Sequence, residues 1–175
     1  MDNAITRACQ TGFWLLYDNI GYNTASTCLS IDIDTCSDLG SCSKPSSLRF
    51  AGSPYVFNEP YFNLYHGEAY TGEEFAGNRT TSSIGDMVAY SIIITGVDSW
   101  TLFEGSDFTG FRVCAVPDQV YVGADGTVIN YGEFFMLYEL NLRYINSLKQ
   151  GCHSDTVVSA KAVKDKREKE AIGGK

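Results

Sequence analysis

The chain has 175 residues, of which 44% are hydrophobic, 13% aromatic and 19% charged. That length buries a sizeable core as one domain or two small ones, and the apolar content excludes general disorder. With 13 basic and 21 acidic residues the net charge is −8, which argues against a nucleic-acid binder, and no apolar run approaches the ~20 residues of a membrane span.

At the start, Met1-Asp2-Asn3 is followed by no apolar signal segment, so the sequence reads as a mature chain with Met1 added in front. Residues 14–24 set Trp14, Leu16 and Tyr17 before a turn-forming stretch that ends in Tyr22 and Thr24. Leu16 alternating with outward positions predicts a strand, and the turn formers fold it back as a hairpin. Residues 31–42 read as a loop in which Cys36 and Cys42 close a small ring, and residues 46–52 as a closing strand. The pattern returns at 62–72, with Phe62, Leu64, Tyr65, Tyr70 and Gly72, and at 100–110, with Trp100, Leu102, Phe103, Phe108 and Gly110. Closing strands follow at 90–96 and 146–151. The aromatics flanking each turn (Tyr17 with Tyr22, Tyr65 with Tyr70, Phe103 with Phe108) are placed to pack over it. Gly72 and Gly110 sit where positive φ costs little, a need Thr24 meets less well.

From opening aromatic to closing serine the chain runs 30 residues to Ser47, 26 to Ser91 and 44 to Ser147. The third repeat therefore carries an insertion, placed within 121–138 by the turn signal Ala124-Asp125-Gly126. Residues 155–175 carry six Lys/Arg against four acids, or +2, which leaves −10 on the body. This tail reads as a solvated extension with a turn or two of helix.

Aromatic, four residues, aromatic, x, Gly, followed by a Ser-hydrophobic strand, resembles the βγ-crystallin Greek-key motif, over about residues 9–152. The resemblance implies an all-β fold, an antiparallel Greek-key β-sandwich of βγ-crystallin type, with one insertion in the third motif. Three motifs are an odd number in a family that pairs them. The expected division is a first motif at 9–54, a two-motif domain at 55–152 and a charged tail at 153–175. The first motif must then bury its apolar face against the insertion, the two-motif domain or another chain, the last making a homodimer or hetero-oligomer.

Six cysteines without CxxC spacing, at 9, 28, 36, 42, 114 and 152, fit three disulfides in a secreted protein better than zinc. Asn78-Arg79-Thr80 is a glycosylation sequon that points the same way. Cys28 and Cys114 lie six residues after the second aromatic of their repeats, Cys9 precedes the first repeat and Cys152 follows the third. The simplest pairing is Cys9–Cys28, Cys36–Cys42 and Cys114–Cys152, among fifteen connectivities that six cysteines permit.

The resemblance also implies candidate sites. Calcium in this family is held by an Asn/Asp-rich sextet ending on the closing serine; only the second sextet keeps an acid, so Asp86, Ser91 and Glu104 are the candidate ligands. The stretch 131–138, with Tyr131, Phe134, Phe135, Met136 and Tyr138, is too apolar for an exposed loop. It reads as a buried extra element, or as a patch that self-associates or holds a flat apolar molecule such as a pigment or lipid. Residues 8–19 resemble the start of small secreted crystallin-fold inhibitors of bacterial metalloproteinases, which use a stapled exposed loop. His66 and His153 lack a partner at catalytic spacing, and Asp32 and Asp34 read as solvated, so no enzyme and no required cofactor are expected. The leading expectation is a secreted, non-enzymatic structural or binding protein; the alternatives are a metalloproteinase inhibitor and a calcium-binding crystallin.

Overall fold

The computed structural model describes residues 6–23, 27–42 and 45–173. Met1, Asp2, Asn3 and Thr24, which figured in the expectations above, and the last two residues of the tail lie outside the described residues. Among the described residues twelve strands and one α-helix follow in order. The first repeat gives β1 (Arg7–Tyr17), β2 (Thr27–Asp38) and β3 (Ser47–Ala51). The second gives β4 (Tyr61–Tyr65), β5 (Glu74–Gly77) and β6 (Ser91–Thr95). The third gives β7 (Trp100–Phe103), β8 (Arg112–Val116), β9 (Gln119–Val122), β10 (Val128–Phe134) and β11 (Ser147–Gln150). The chain ends in β12 (Val157–Ser159) and α1 (Ala160–Gly173).

The strands form three sheets in the orders β2-β1-β3, β5-β4-β6-β10-β9 and β11-β7-β8-β12. Strand β10 of the third repeat pairs with β6 of the second. In return, Thr81 of the second repeat bridges Leu148 on β11 of the third. Each of these two repeats thus lends a segment to the other's sheet, so neither closes its sheet alone.

Between these two sheets lie Phe62, Leu64, Ile92, Ile94 and Phe134 against Trp100, Leu102, Val113, Ala115 and Leu148. Alternation sends the intervening residues the other way. Tyr65, Ile93, Ile129 and Tyr131 pack against Phe13, Leu15, Tyr17, Ile33 and Ala51 of the first repeat. The sheet β5-β4-β6-β10-β9 is therefore the middle of three layers. Every residue of β6 is buried, so the run Ile92, Ile93, Ile94 serves two cores at once. Of the three ways the first repeat had to bury its face, the structure uses the two-motif body and the inserted hairpin.

Four expectations change. Residues 31–42 are mostly strand, because β2 runs to Asp38 as the partner of an equally long β1. That register also overturns two of the three expected disulfides. Cys9 lies opposite Cys36 and bonds to it, whereas Cys28 lies opposite Leu16 at the other end of the hairpin and bonds Cys42. Cys114–Cys152 forms as expected. The insertion begins earlier than 121 and consists of β9 and its turn, while β10 is the strand exchanged with the second repeat.

The tail is not a solvated extension. The Cys114–Cys152 bridge returns the chain to β8, and β12 pairs with it in parallel, Val157 beside Cys114 and Ser159 beside Val116. Helix α1 then starts on the fully buried Ala160, which meets β10 at Gly132; a Cβ there would come within 3.0 Å of the Ala160 side chain.

Candidate functional site

The three openings fold alike. Ring centroids of the flanking aromatics lie 5.4 Å apart for Tyr17 and Tyr22, 5.5 Å for Tyr65 and Tyr70 and 5.7 Å for Phe103 and Phe108, all edge to face. The second aromatic of each pair takes positive φ (57° at Tyr22, 64° at Tyr70 and 61° at Phe108), a conformation bulky residues avoid unless packing holds them. Gly72 and Gly110 follow with φ of 79° and 78°.

The closing serines hold these turns. The hydroxyl of Ser91 donates to Gly67 O at 2.6 Å and accepts the Tyr70 N–H at 2.9 Å. Ser147 repeats this with Gly105 O at 2.6 Å and the Phe108 N–H at 3.1 Å. Ser47 donates to Asn19 O at 2.6 Å. The conserved geometry of the repeat is thus a hydroxyl tying a strand to the turn before it.

That use bears on calcium. Ser91 is committed to the turn, and Glu104 accepts the Arg143 N–H at 3.0 Å. Asp86 is exposed, and the position after it in the sextet is the apolar Met87. Among the described residues no three His, Cys, Asp or Glu side chains converge. A calcium ion needs six to eight oxygens, several of them carboxylate. The donor set of Asp86, Ser91 and Glu104 does not fit one.

The five aromatic-stretch residues are divided between layers rather than gathered on one cavity. Phe134 fills the core against β7 and β8, and Tyr131 the core against the first repeat, 5.0 Å from Phe13. Phe135 and Met136 are half-buried, and Tyr138 is exposed. Asn78 is exposed beyond β5, its amide donating to Glu59 Oε1 at 2.8 Å. Both histidines meet backbone carbonyls: His66 Nδ1 lies 2.9 Å from Val88 O and His153 Nε2 3.0 Å from Gln150 O. Asp32 accepts the Tyr121 hydroxyl at 3.0 Å, a bond between the first repeat and the inserted hairpin, and Asp34 takes the Thr11 hydroxyl at 2.6 Å.

Two arginine sites appear that the sequence reading missed. Arg49, on β3, lies 4.1 Å from the Tyr22 ring centroid and 5.4 Å from that of Tyr65. It donates to Gly72 O at 2.8 Å and pairs with Glu74 at 3.7 Å, so it joins the first repeat to the second. Beside it the Tyr17 hydroxyl donates to Tyr70 O at 2.6 Å, and burial raises the Tyr17, Tyr65 and Tyr70 phenols above their ordinary range.

Arg167 does the corresponding work for α1. It stacks 3.9 Å over the Phe135 ring and pairs with Glu139 at 3.4 Å and Glu133 at 3.9 Å, while Lys164 reaches Glu133 at 3.5 Å. Glu133 is buried and also accepts from Gln119 Nε2 at 3.2 Å. Burial raises the Glu139 carboxyl against the pull of Arg167. Along this cluster runs an open groove of 270 Å³ lined by Glu133, Phe135, Lys164, Arg167, Glu168 and Ala171. Arg49 and Arg167 each tie separate parts of the chain together.

The turn geometry, the hydroxyl ties and the exchanged strands give the architecture its type, and known structures share it. Geodin, a beta-gamma crystallin from Geodia cydonium, matches with a TM-score of 0.60 at 20% identity, over 82% of this chain and 81% of its own. The chain has a βγ-crystallin-like fold. The fifth crystallin domain of the non-lens protein Absent in melanoma 1 also matches, at 20% identity and a TM-score of 0.41, over 55% of this chain and 91% of that one. No family model and no curated protein matches the sequence. Against the paired motifs of the βγ-crystallin pattern, this chain covers the outer face of one sheet with a third motif. No helix among the described residues is long and apolar enough to cross a membrane.

Proposed function

We propose that this is a non-catalytic βγ-crystallin-fold protein of the extracellular space, with a structural or binding role that depends on a durable folded body. One observation carries the reading: the middle sheet is covered on both faces, and both covering sheets are stapled. The first repeat holds Cys9–Cys36 and Cys28–Cys42, and the third holds Cys114–Cys152. Each bridge stabilises by about 2–4 kcal/mol, and such bridges persist only in an oxidising compartment. The hydroxyls of Ser91 and Ser147 and the buried carboxylate of Glu133 are engaged in holding turns and layers together, which leaves the surfaces to carry recognition.

A second reading, metalloproteinase inhibition, is favoured by the loop between β3 and β4 rather than by residues 36–42. Tyr55 is 89% exposed and Val56 59% exposed. Their N–H groups reach Ser53 Oγ at 3.3 and 3.4 Å, and the Glu59 N–H donates to Val56 O at 3.0 Å. This is a held loop presenting two apolar side chains. One experiment separates the readings: the oxidised chain is incubated with a zinc metalloproteinase while chain integrity and proteinase activity are both followed. The scaffold reading expects an intact chain and unimpaired proteinase, with rapid cleavage after reduction and alkylation. Rapid cleavage of the oxidised chain overturns it. Stoichiometric loss of proteinase activity, abolished by Tyr55→Asp, moves the assignment to inhibition.

A further inference from the structure

We infer that the inserted hairpin is a self-association edge, through which β9 pairs with β9 of a second copy of this chain. Strand β9 is the last strand of its sheet, and nothing among the described residues pairs with its outer side. It has no charged residue, and Val120 and Val122 are 55% and 60% exposed, beside Val128 at 41% on the neighbouring strand. Unpaired edges template pairing unless shortness, charge, proline or a bulge blunts them; β9 is short at four residues but carries no charge, proline or bulge.

The backbone fixes how a copy would dock. The Gly123 N–H donates to Thr127 O, and the register continues Val122 with Val128, Tyr121 with Ile129 and Val120 with Asn130. Bonded and non-bonded pairs alternate in an antiparallel ladder. Tyr121 therefore spends its backbone groups on β10, while Val120 and Val122 turn theirs outward. A two-fold axis at Tyr121 sets Val120 against Val122 of the second copy, and the reverse. That register satisfies both outward residues in each copy and lines up four valines on one face.

The charges allow it despite −8 on each chain. The acids flanking β9 in the chain are Asp118, which accepts from Ser159 Oγ and the Lys161 N–H, and Asp125, which accepts from Thr127, while Asp32 meets the strand on the Tyr121 face, opposite the valines. In this register Asp118 faces Ala124 and Asp125 faces Pro117 of the other copy, so neither flanking acid opposes an acid. The pairing joins two five-stranded sheets into one, and it uses an element the paired-motif pattern lacks.

Sedimentation of the full oxidised chain over a concentration series tests this, with hydrogen exchange at the Val120 and Val122 amides. The expected result is a reversible dimer, with both amides protected at high concentration and exchanging freely on dilution. Val120→Lys with Val122→Lys, both solvent-facing, weakens association at least tenfold with unchanged circular dichroism, whereas Val97→Lys on another exposed site does not. A chain that stays monomeric up to about 1 mM, a range that detects even weak pairing, overturns the inference. So does a dimer that the double lysine variant leaves intact, or one whose formation leaves both amides unprotected.

Discussion

Ser91 and Ser147 each satisfy a carbonyl and an N–H of the preceding turn, and both hydroxyls are buried, whereas the Ser47 bond is exposed. Truncation to alanine leaves those groups without a partner inside the protein. Ser91→Ala and Ser147→Ala are expected to lower stability by about 1–3 kcal/mol each, and Ser47→Ala by about 0.5–1 kcal/mol. Urea denaturation of the three variants checks the ranking; equal losses would mean that burial does not set the value of the tie. Arg49 sits among Tyr17, Tyr22 and Tyr65 with Glu74 and Gly72 O as polar partners. Arg49→Met is expected to cost roughly 2 kcal/mol through the lost stacking and desolvated pair. Arg49→Lys restores little of it, since a point charge lacks the planar fork that reaches both partners.

At the scale of elements, α1 is held by charge rather than by an apolar stripe. Only Ala160 is fully buried along it, while Arg167 and Lys164 meet Glu133 and Glu139. Arg167→Ala leaves two buried carboxylates with one cation between them, a loss of about 3 kcal/mol if the helix stayed in place. The helix is free to peel away instead, so the loss appears locally. Amide exchange in α1 is expected to accelerate at least tenfold in Arg167→Ala, with the amides of β6 unchanged. Equal acceleration in both would show that the helix and the sandwich open together. Ile93 and Ile92, adjacent on β6, belong to different cores, and Ile→Ala at either is expected to cost about 2–5 kcal/mol.

For the whole molecule, the first repeat and the middle sheet share a core of buried phenols. Tyr17, Tyr65 and Tyr70 are raised by burial above the ordinary 10.0. The unfolded chain therefore loses these protons first as pH rises, so the folded state binds more protons and stability falls with pH above about 10. Below that, the contribution is fully present. With three such groups the slope approaches roughly 4 kcal/mol per pH unit. The final part of the tyrosinate absorbance rise, which belongs to the buried phenols, is expected in step with cooperative unfolding; completion of the full rise in the still folded protein would show that these hydroxyls reach solvent. Reduction of the bridges should act unequally, with Cys9–Cys36 and Cys28–Cys42 supporting the first repeat and Cys114–Cys152 the docking of β12.

The sequence by itself determined the repeat. Strand, turn and flanking aromatics are set by residues within eleven positions of one another, and local sterics and packing act at that range. The closing serines were legible too, because their spacing is regular even where the intervening chain is not. The disulfide partners of Cys9 and Cys28 were decided by the register of a long hairpin, which spacing alone does not reveal. Helix α1 gave no amphipathic signal, since its partners are acids on β10 and in the turn after it. The run Ile92, Ile93, Ile94 did carry the sign of a sheet covered on both faces, for alternation fails only where both sides are apolar. The odd repeat count posed the question of what covers the first motif. Only the tertiary structure answered it, because burial on the outer face of the middle sheet is a property of two surfaces brought together across the chain.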